Sequence, residues 1–176
     1  IAAVAKMGYE VVEFWSPYMQ WSNAKAKEAR QLLDGRGITC PSTHNPATSL
    51  SGDTLQRAVE LNQILGSRTS VAASAPPKLV TADAWKAFAD TCAKASETLR
   101  PLGMRAGFHN HASEWQLVEG QRPMDLLAAG TPRDFVLQFD IGTGVQAGQD
   151  PVSWINPNPG CIPSLHCKDW CAGDVH

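Results

Sequence analysis

The sequence has no apolar run approaching the ~20 residues that a membrane-spanning helix needs, so no membrane partner is expected. It also lacks the charged and apolar regions of a signal peptide. No basic block stands out among 15 basic and 17 acidic side chains, and the formal charge is −2. A chain that gathers nucleic acid through its phosphates needs such a block, so no nucleic-acid partner is expected either. The five cysteines are odd in number and lack the spacing of a disulfide framework, which points to a reducing compartment, the cytoplasm. Cys167, Cys171 and His176 could be read as part of a zinc site, but their spacing fits no common zinc pattern, and incidental or buried thiols are the preferred reading. No GxGxxG and no Walker sequence follows a strand, which removes the best evidence for a nucleotide-binding doubly wound fold.

What is present is an ordinary globular composition. The 176 residues are 43% apolar and 18% charged, enough for one domain with a real core. Strand-like runs at residues 9–15, 38–44, 67–74, 104–111, 135–140 and 161–170 are rich in β-branched and aromatic side chains. Helical spacing separates them. One helix is expected from Asn23 to Asp34, with Ser22 or Asn23 as its cap and Gly35 and Gly37 as its end. Another follows a capping box of Asp53 and Gln56 and stops at Gly66. The clearest runs over 81–99, with Trp85, Phe88, Ala89, Cys92, Ala95 and Leu99 on one apolar stripe. Short helices are expected from Pro123 to Ala129 and after Asp150, with Pro151 at the first position.

Strands alternating with helices call for a parallel sheet with right-handed crossovers. Polar residues then fall at the carboxyl ends of strand after strand: Glu13, His44, His109, His111, Asp140, His166 and Lys168. In a (β/α)8 TIM barrel the active site lies at those ends. Six strands are countable where a barrel has eight, so the expected architecture is a single TIM-barrel domain over 1–176, incomplete at both ends, in about six β/α units. Open sheet edges invite aggregation, so the natural protein is expected to be longer. The stretch MRAGFHNHASEW at 104–115 is the most informative. Strand period puts His109 and His111 on one side and Phe108 and Asn110 on the other. Two imidazoles at a buried strand end are costly to leave unpaired, and they suggest a metal, an anion or a catalytic dyad.

The chain resembles the sugar phosphate isomerase/epimerase family, the xylose isomerase-like TIM barrels. The resemblance rests on MGYEVVEF, the strand ending in STH, GFHNHASEW, FVLQFD, AGQDPVSW and LHCKDW, in that order and over nearly the whole chain. It implies a divalent metal at the C-terminal mouth of the barrel, held by Glu, Asp, His and Glu from the fifth to eighth strands. Asp140 matches that Asp and His166 that His. His109 or His111 stands where many relatives carry the first Glu, and Glu114 lies a few residues on; the last Glu would come from a strand that this sequence does not contain.

The resemblance implies isomerisation or epimerisation of a sugar or polyol by proton transfer between carbons next to a carbonyl. The carbon acid is weak, so the enediolate must be stabilised as it forms, which a Lewis-acidic metal does. Mn²⁺, Mg²⁺, Co²⁺ or Zn²⁺ would suit the ligands. Asp140 and His166, with His109 as a third, are the expected metal ligands. His111 or Glu114 is the expected acid/base group, and Lys168 would hold a substrate oxygen or orient Asp140. Glu13, His44 and Trp115 are expected to contact substrate, with Tyr18 and Trp21 as further pocket walls. A homo-oligomer is compatible with these features. Two other readings share the fold: a lyase or dehydratase acting on a cyclic keto-polyol, and a catalytically incomplete barrel used for association. An endonuclease IV-type hydrolase would need more metal ligands and a basic DNA face.

Overall fold

The computed structural model describes residues 1–171 and 173; His176, named above with Cys167 and Cys171, lies outside the described residues. In chain order the elements are α1 (Ala2–Lys6), β1 (Phe14–Trp15), α2 (Asn23–Asp34), β2 (Ser42–Asn45), α3 (Gly52–Leu65), β3 (Thr69–Ala72), α4 (Ala82–Leu99), β4 (Arg105–His109), α5 (Pro123–Gly130), β5 (Val136–Asp140), α6 (Ile141–Gln146), α7 (Pro151–Ile155) and β6 (Leu165–His166). Among the described residues, six strands form one sheet in the order β1-β2-β3-β4-β5-β6, every neighbouring pair parallel. This is the sheet of a TIM barrel in part, with its helices outside. No helix among the described residues is long and apolar enough to cross a membrane.

The sheet is curled rather than flat. Glu13, next to β1, reaches His166 on β6 at 2.9 Å although 153 positions separate them. That curl follows from the side chains on the two faces. Helix-facing residues are large: Phe108, Leu137 and Phe139 join Trp85, Phe88, Cys92 and Leu99 of α4 in one apolar core. Each such side chain contributes roughly 1.5–3 kcal/mol on burial. The inner face is narrower. There His44, Val71, Gly107 and Val136 stand in register. A Cβ at Gly107 would sit 2.9 Å from both the carbonyl oxygen and the Cβ of Val136, so only glycine lets β4 and β5 approach this closely.

The helices start where local chemistry dictates. Ser22 caps α2 by accepting from the Lys25 amide, and Thr81 caps α4 by accepting from the Ala84 amide, each at 3.2 Å. The expected box of Asp53 and Gln56 does not form. Helix α3 begins earlier, with Ser51 as its cap, and Asp53 sits in the first turn, where its charge favours the helix dipole. Helix α6 has no counterpart in the sequence reading, because its IGTGVQ lacks an apolar period.

The strands at both edges are shorter than the sequence pattern suggests. Regular pairing of β1 is confined to Phe14–Trp15, with an isolated bridge from Val11 to Thr39. Pro41 has no amide hydrogen to give to a ladder. Its carbonyl instead accepts from the Arg68 and Thr69 amides at 3.2 Å, and β2 begins just after it.

Behind β2 lies a buried polar network. The Tyr18 hydroxyl donates to Asn45 Oδ1 at 2.5 Å and accepts from Asn62 Nδ2 at 3.0 Å. Thr43 Oγ1 donates to Asn62 Oδ1 at 2.8 Å, and Asn45 Nδ2 donates to Ser70 Oγ at 3.0 Å. The network ties the loop after β1 to β2, β3 and α3, and so holds the strand that carries His44. Tyr18 is therefore buried on the helix side, not a wall of the mouth. Replacing Asn62 with leucine keeps the volume but removes the acceptor of the Thr43 hydroxyl and a donor to the Tyr18 hydroxyl. The expected loss is about 1–3 kcal/mol, read as a lower urea midpoint; an unchanged midpoint would mean the network contributes nothing to stability.

Candidate active site

Four strands and the residue just before β1 deliver polar side chains to one end of the curled sheet. Glu13 comes from just before β1, His44 from β2, His109 from the end of β4, Gln138 and Asp140 from β5, and His166 from β6. His44, His109, Asp140 and His166 lie at or next to the carboxyl ends of parallel strands. His44, His109 and His166 offer ligand atoms that lie within 4.8 Å of one another. Their rings are packed: His109 and His166 centroids are 4.5 Å apart, His44 and His109 4.8 Å, and His44 and His166 5.1 Å and nearly parallel.

Glu13 anchors the cluster. Its Oε1 accepts from Ser42 Oγ at 2.5 Å and from Gln138 Nε2 at 2.9 Å. Its Oε2 lies 2.9 Å from His166 Nε2 and 3.2 Å from His44 Nε2. Burial alone would push this carboxyl up, but the hydrogen bonds from His166, Ser42 and Gln138 and the charge of His44 bring it down to about 2. It is a carboxylate at neutral pH. The same contact raises the pKa of His166 against the opposing effect of burial.

His109 has the opposite character. Burial, and then the charges of the neighbouring His44, His166 and His111, push it down to about 4, despite Asp140 nearby. It is a neutral imidazole at pH 7, with a lone pair to offer. Its Nε2 lies 3.8 Å from Asp140 Oδ2.

Asp140 has two roles, one for each oxygen. Oδ1 accepts from the Thr143 amide at 2.9 Å and caps α6, which leaves Oδ2 toward His109. Asn110 completes this junction from the helix side. Its Oδ1 accepts from the Asp140 amide at 2.9 Å and its Nδ2 donates to Thr143 Oγ1 at 3.0 Å. In HNH, then, His109 faces the mouth while Asn110 pins the end of β4 to the start of α6.

The remaining sequence-derived candidates lie further out or elsewhere. His111 is half exposed, its ring centroid 5.2 Å from that of His109. Glu114 is buried and satisfied locally: it accepts from the His111 amide at 2.6 Å and from Ser113 Oγ at 3.0 Å, closing the 3-10 turn Ala112–Trp115. Trp115 is not a pocket wall. The turn carries it back into the main core, 3% exposed, against Phe139 and Trp154 at 5.3 and 5.1 Å. Trp21 is half-buried and edge-on to Phe14.

Lys168 is exposed beyond β6, and the residue that orients Asp140 is Thr143. Its backbone packs on Gly142: a Cβ there would lie 2.4 Å from the Lys168 carbonyl oxygen. Gly142→Ala is expected to cost about 1–3 kcal/mol and to displace the segment after His166, read from the urea midpoint and amide exchange at 165–169. Wild-type values would show that this packing is slack.

Two site residues escape sequence reasoning. Gln138 shares its face with Asp140 in FVLQFD, and strand period was the signal for it. Ser42 shares a face with His44 in the same way.

Comparison with known proteins follows this geometry. The family model described as xylose isomerase-like TIM barrel matches residues 1–174. A sugar phosphate isomerase/epimerase from Parabacteroides distasonis superposes with a TM-score of 0.80 at 23% identity, covering 98% of this chain and 69% of that one. The probable 3-DHS dehydratase AsbF from Bacillus anthracis superposes with a TM-score of 0.70 at 13% identity, covering 92% of this chain and 64% of that one. A D-psicose 3-epimerase crystallised in the presence of D-fructose gives a TM-score of 0.69 at 14% identity, covering 93% and 64%. Among curated proteins none matches the sequence.

Proposed function

Because the chain belongs to the xylose isomerase-like TIM-barrel family, we propose that it is a divalent-metal-dependent isomerase or epimerase of a sugar or polyol. The fold is that of sugar isomerase and epimerase enzymes. One observation carries the finer reading: His44, His109 and His166 converge at the carboxyl ends of the strands beside two carboxylates. The donor set suits a divalent first-row ion. His109 is neutral, and Asp140 Oδ2 stands beside it while Oδ1 caps a helix.

Asp140, His166 and His109 would hold the ion, with His44 as a further imidazole within reach. A divalent ion there supplies Lewis acidity to the substrate oxygens next to the carbon that loses its proton.

The chain's own groups do the rest. His111, half exposed beside His109, takes the proton from carbon and returns it, and an imidazole is suited to this near neutral pH. Glu114 positions His111 by accepting its backbone N–H. Glu13, held ionised, faces substrate hydroxyls while it keeps His166 in place; His44, whose Nε2 points at Gln138 and Glu13, accepts from a substrate hydroxyl through its other ring nitrogen. Lys168, exposed at the rim, draws a substrate oxygen toward the mouth. The similarity to a dehydratase fold supports a second reading, in which the same carbanion expels a hydroxide from a cyclic keto-polyol.

Titration with Mn²⁺ tests the site. About one ion per chain is expected in the wild type and none in a His109→Ala, His166→Ala double variant that remains folded. Equal binding by both, or no binding by the wild type, would overturn the metal assignment.

A further inference from the structure

Gln138 is 2% exposed. Its amide touches three titratable groups: Glu13 just before β1, His44 on β2 and His109 on β4. Nε2 lies 2.9 Å from Glu13 Oε1, and Oε1 lies 2.5 Å from His44 Nε2 and 3.1 Å from His109 Nδ1. The amide orientation is forced. A carboxylate can only accept, so the NH₂ must face Glu13 and the carbonyl must face the two imidazoles. A carbonyl oxygen has two lone pairs and also only accepts. Both imidazole nitrogens that meet it must therefore carry hydrogen. We propose that Gln138 is a positioning residue that fixes the tautomers of His44 and His109, and so selects the ring nitrogens that the mouth presents to a cation or substrate.

The consequence is specific. With hydrogen on Nδ1, His109 has its lone pair on Nε2, the nitrogen facing Asp140 Oδ2 at 3.8 Å. With hydrogen on Nε2, His44 points its donor at Glu13 and Gln138 and keeps its lone pair on Nδ1. Without the Gln138 carbonyl, the Asp140 carboxylate would draw the His109 hydrogen to Nε2 and close that nitrogen to any ligand. Losing an outer partner that sets an imidazole in this way typically costs about 10- to 100-fold in metal affinity.

The use made of the tautomers rests on the proposed function, but the tautomers themselves do not. They are read in metal-free protein, without substrate, from long-range ¹H–¹⁵N correlations of the histidine rings. The wild type is expected to show His109 protonated on Nδ1 and His44 on Nε2. In Gln138→Met, which keeps the length and removes the hydrogen bonds, His109 is expected to move to the Nε2–H form, and Mn²⁺ affinity to fall about 10- to 100-fold. In Gln138→Glu the new carboxyl shares one proton with Glu13, because two carboxylates 2.9 Å apart do not both ionise, and its other oxygen still accepts from both rings, so the wild-type tautomers are expected to persist. A purely structural role would lower stability without moving the ring hydrogens. His109 protonated on Nε2 in the wild type, an unchanged tautomer in folded Gln138→Met, or a switched one in Gln138→Glu would overturn the proposal. The first and last of these stand even if the methionine variant fails to fold. Correct tautomers in a wild type that binds no Mn²⁺ would overturn the metal reading and leave this inference intact.

Discussion

Asp140→Asn is expected to abolish turnover while the protein stays folded. The two oxygens of Asp140 separate the effects. Asparagine caps helices as well as aspartate does, so the bond from the Thr143 amide at 2.9 Å survives through its carbonyl oxygen. The bond that Asn110 accepts from the Asp140 amide is untouched, because it involves only backbone at position 140. His109 is neutral and loses little from the missing charge. Stability should stay within about 1 kcal/mol of the wild type, within the range of mild substitutions. What disappears is the charged oxygen toward the mouth. A metal site contributes several kcal/mol to a transition state, and each 1.36 kcal/mol is a factor of ten. The expected fall in turnover is on the order of 10³-fold or more. Full activity in the folded variant would remove Asp140 from the site.

Glu13→Ala is expected to give the largest loss of stability from any single change at the mouth. Four donors converge on this carboxylate: Ser42 Oγ, Gln138 Nε2, His44 Nε2 and His166 Nε2. An unsatisfied buried polar group costs about 1–3 kcal/mol. Glu13 is 21% exposed at its side chain, so water would replace part of what is lost. A net cost of about 3 kcal/mol lowers the melting temperature of a chain of this size by about 6–12 °C. The contact between the ends of β1 and β6 would also open, since the His166 bond to Glu13 joins them. A variant that melts with the wild type would show that the sheet is held curled by its apolar packing alone.

The fold was legible because its evidence is local and periodic. The alternation of strands and helices, the α4 stripe and the helix starts at Ser22 and Asp150 each depend on a few neighbouring residues. Asp140 and His166 were legible as polar residues ending apolar strands. The edge strands β1 and β6 were harder, because pairing at an edge depends on one neighbour only; inside the sheet, Pro41 delays the start of β2. Helix α6 has too many glycines to show a period, and it forms because Asp140 caps it.

The site's connections could not be read in the same way. Nothing local links Glu13 to His166 across 153 positions; that contact exists only once the sheet curls. Tyr18 looked like a pocket wall because an aromatic in a loop is usually exposed. Here Thr43 and Asn62 give its hydroxyl partners, which makes burial affordable in energy. Trp115 looked like a wall for the same reason, and the tight turn closed by Glu114 sends it inward instead.

Proton exchange at carbon tests the central claim most directly. Keto-sugars and cyclic keto-polyols would be incubated with the protein and Mn²⁺ in D₂O, and deuterium at the carbon next to the carbonyl followed by NMR. The expected result is incorporation at that position for at least one substrate, abolished in Asp140→Asn, with or without net epimerisation or loss of a hydroxyl. Protein that binds the ion yet exchanges no carbon-bound proton in any of them would contradict proton transfer as the chemistry of this mouth.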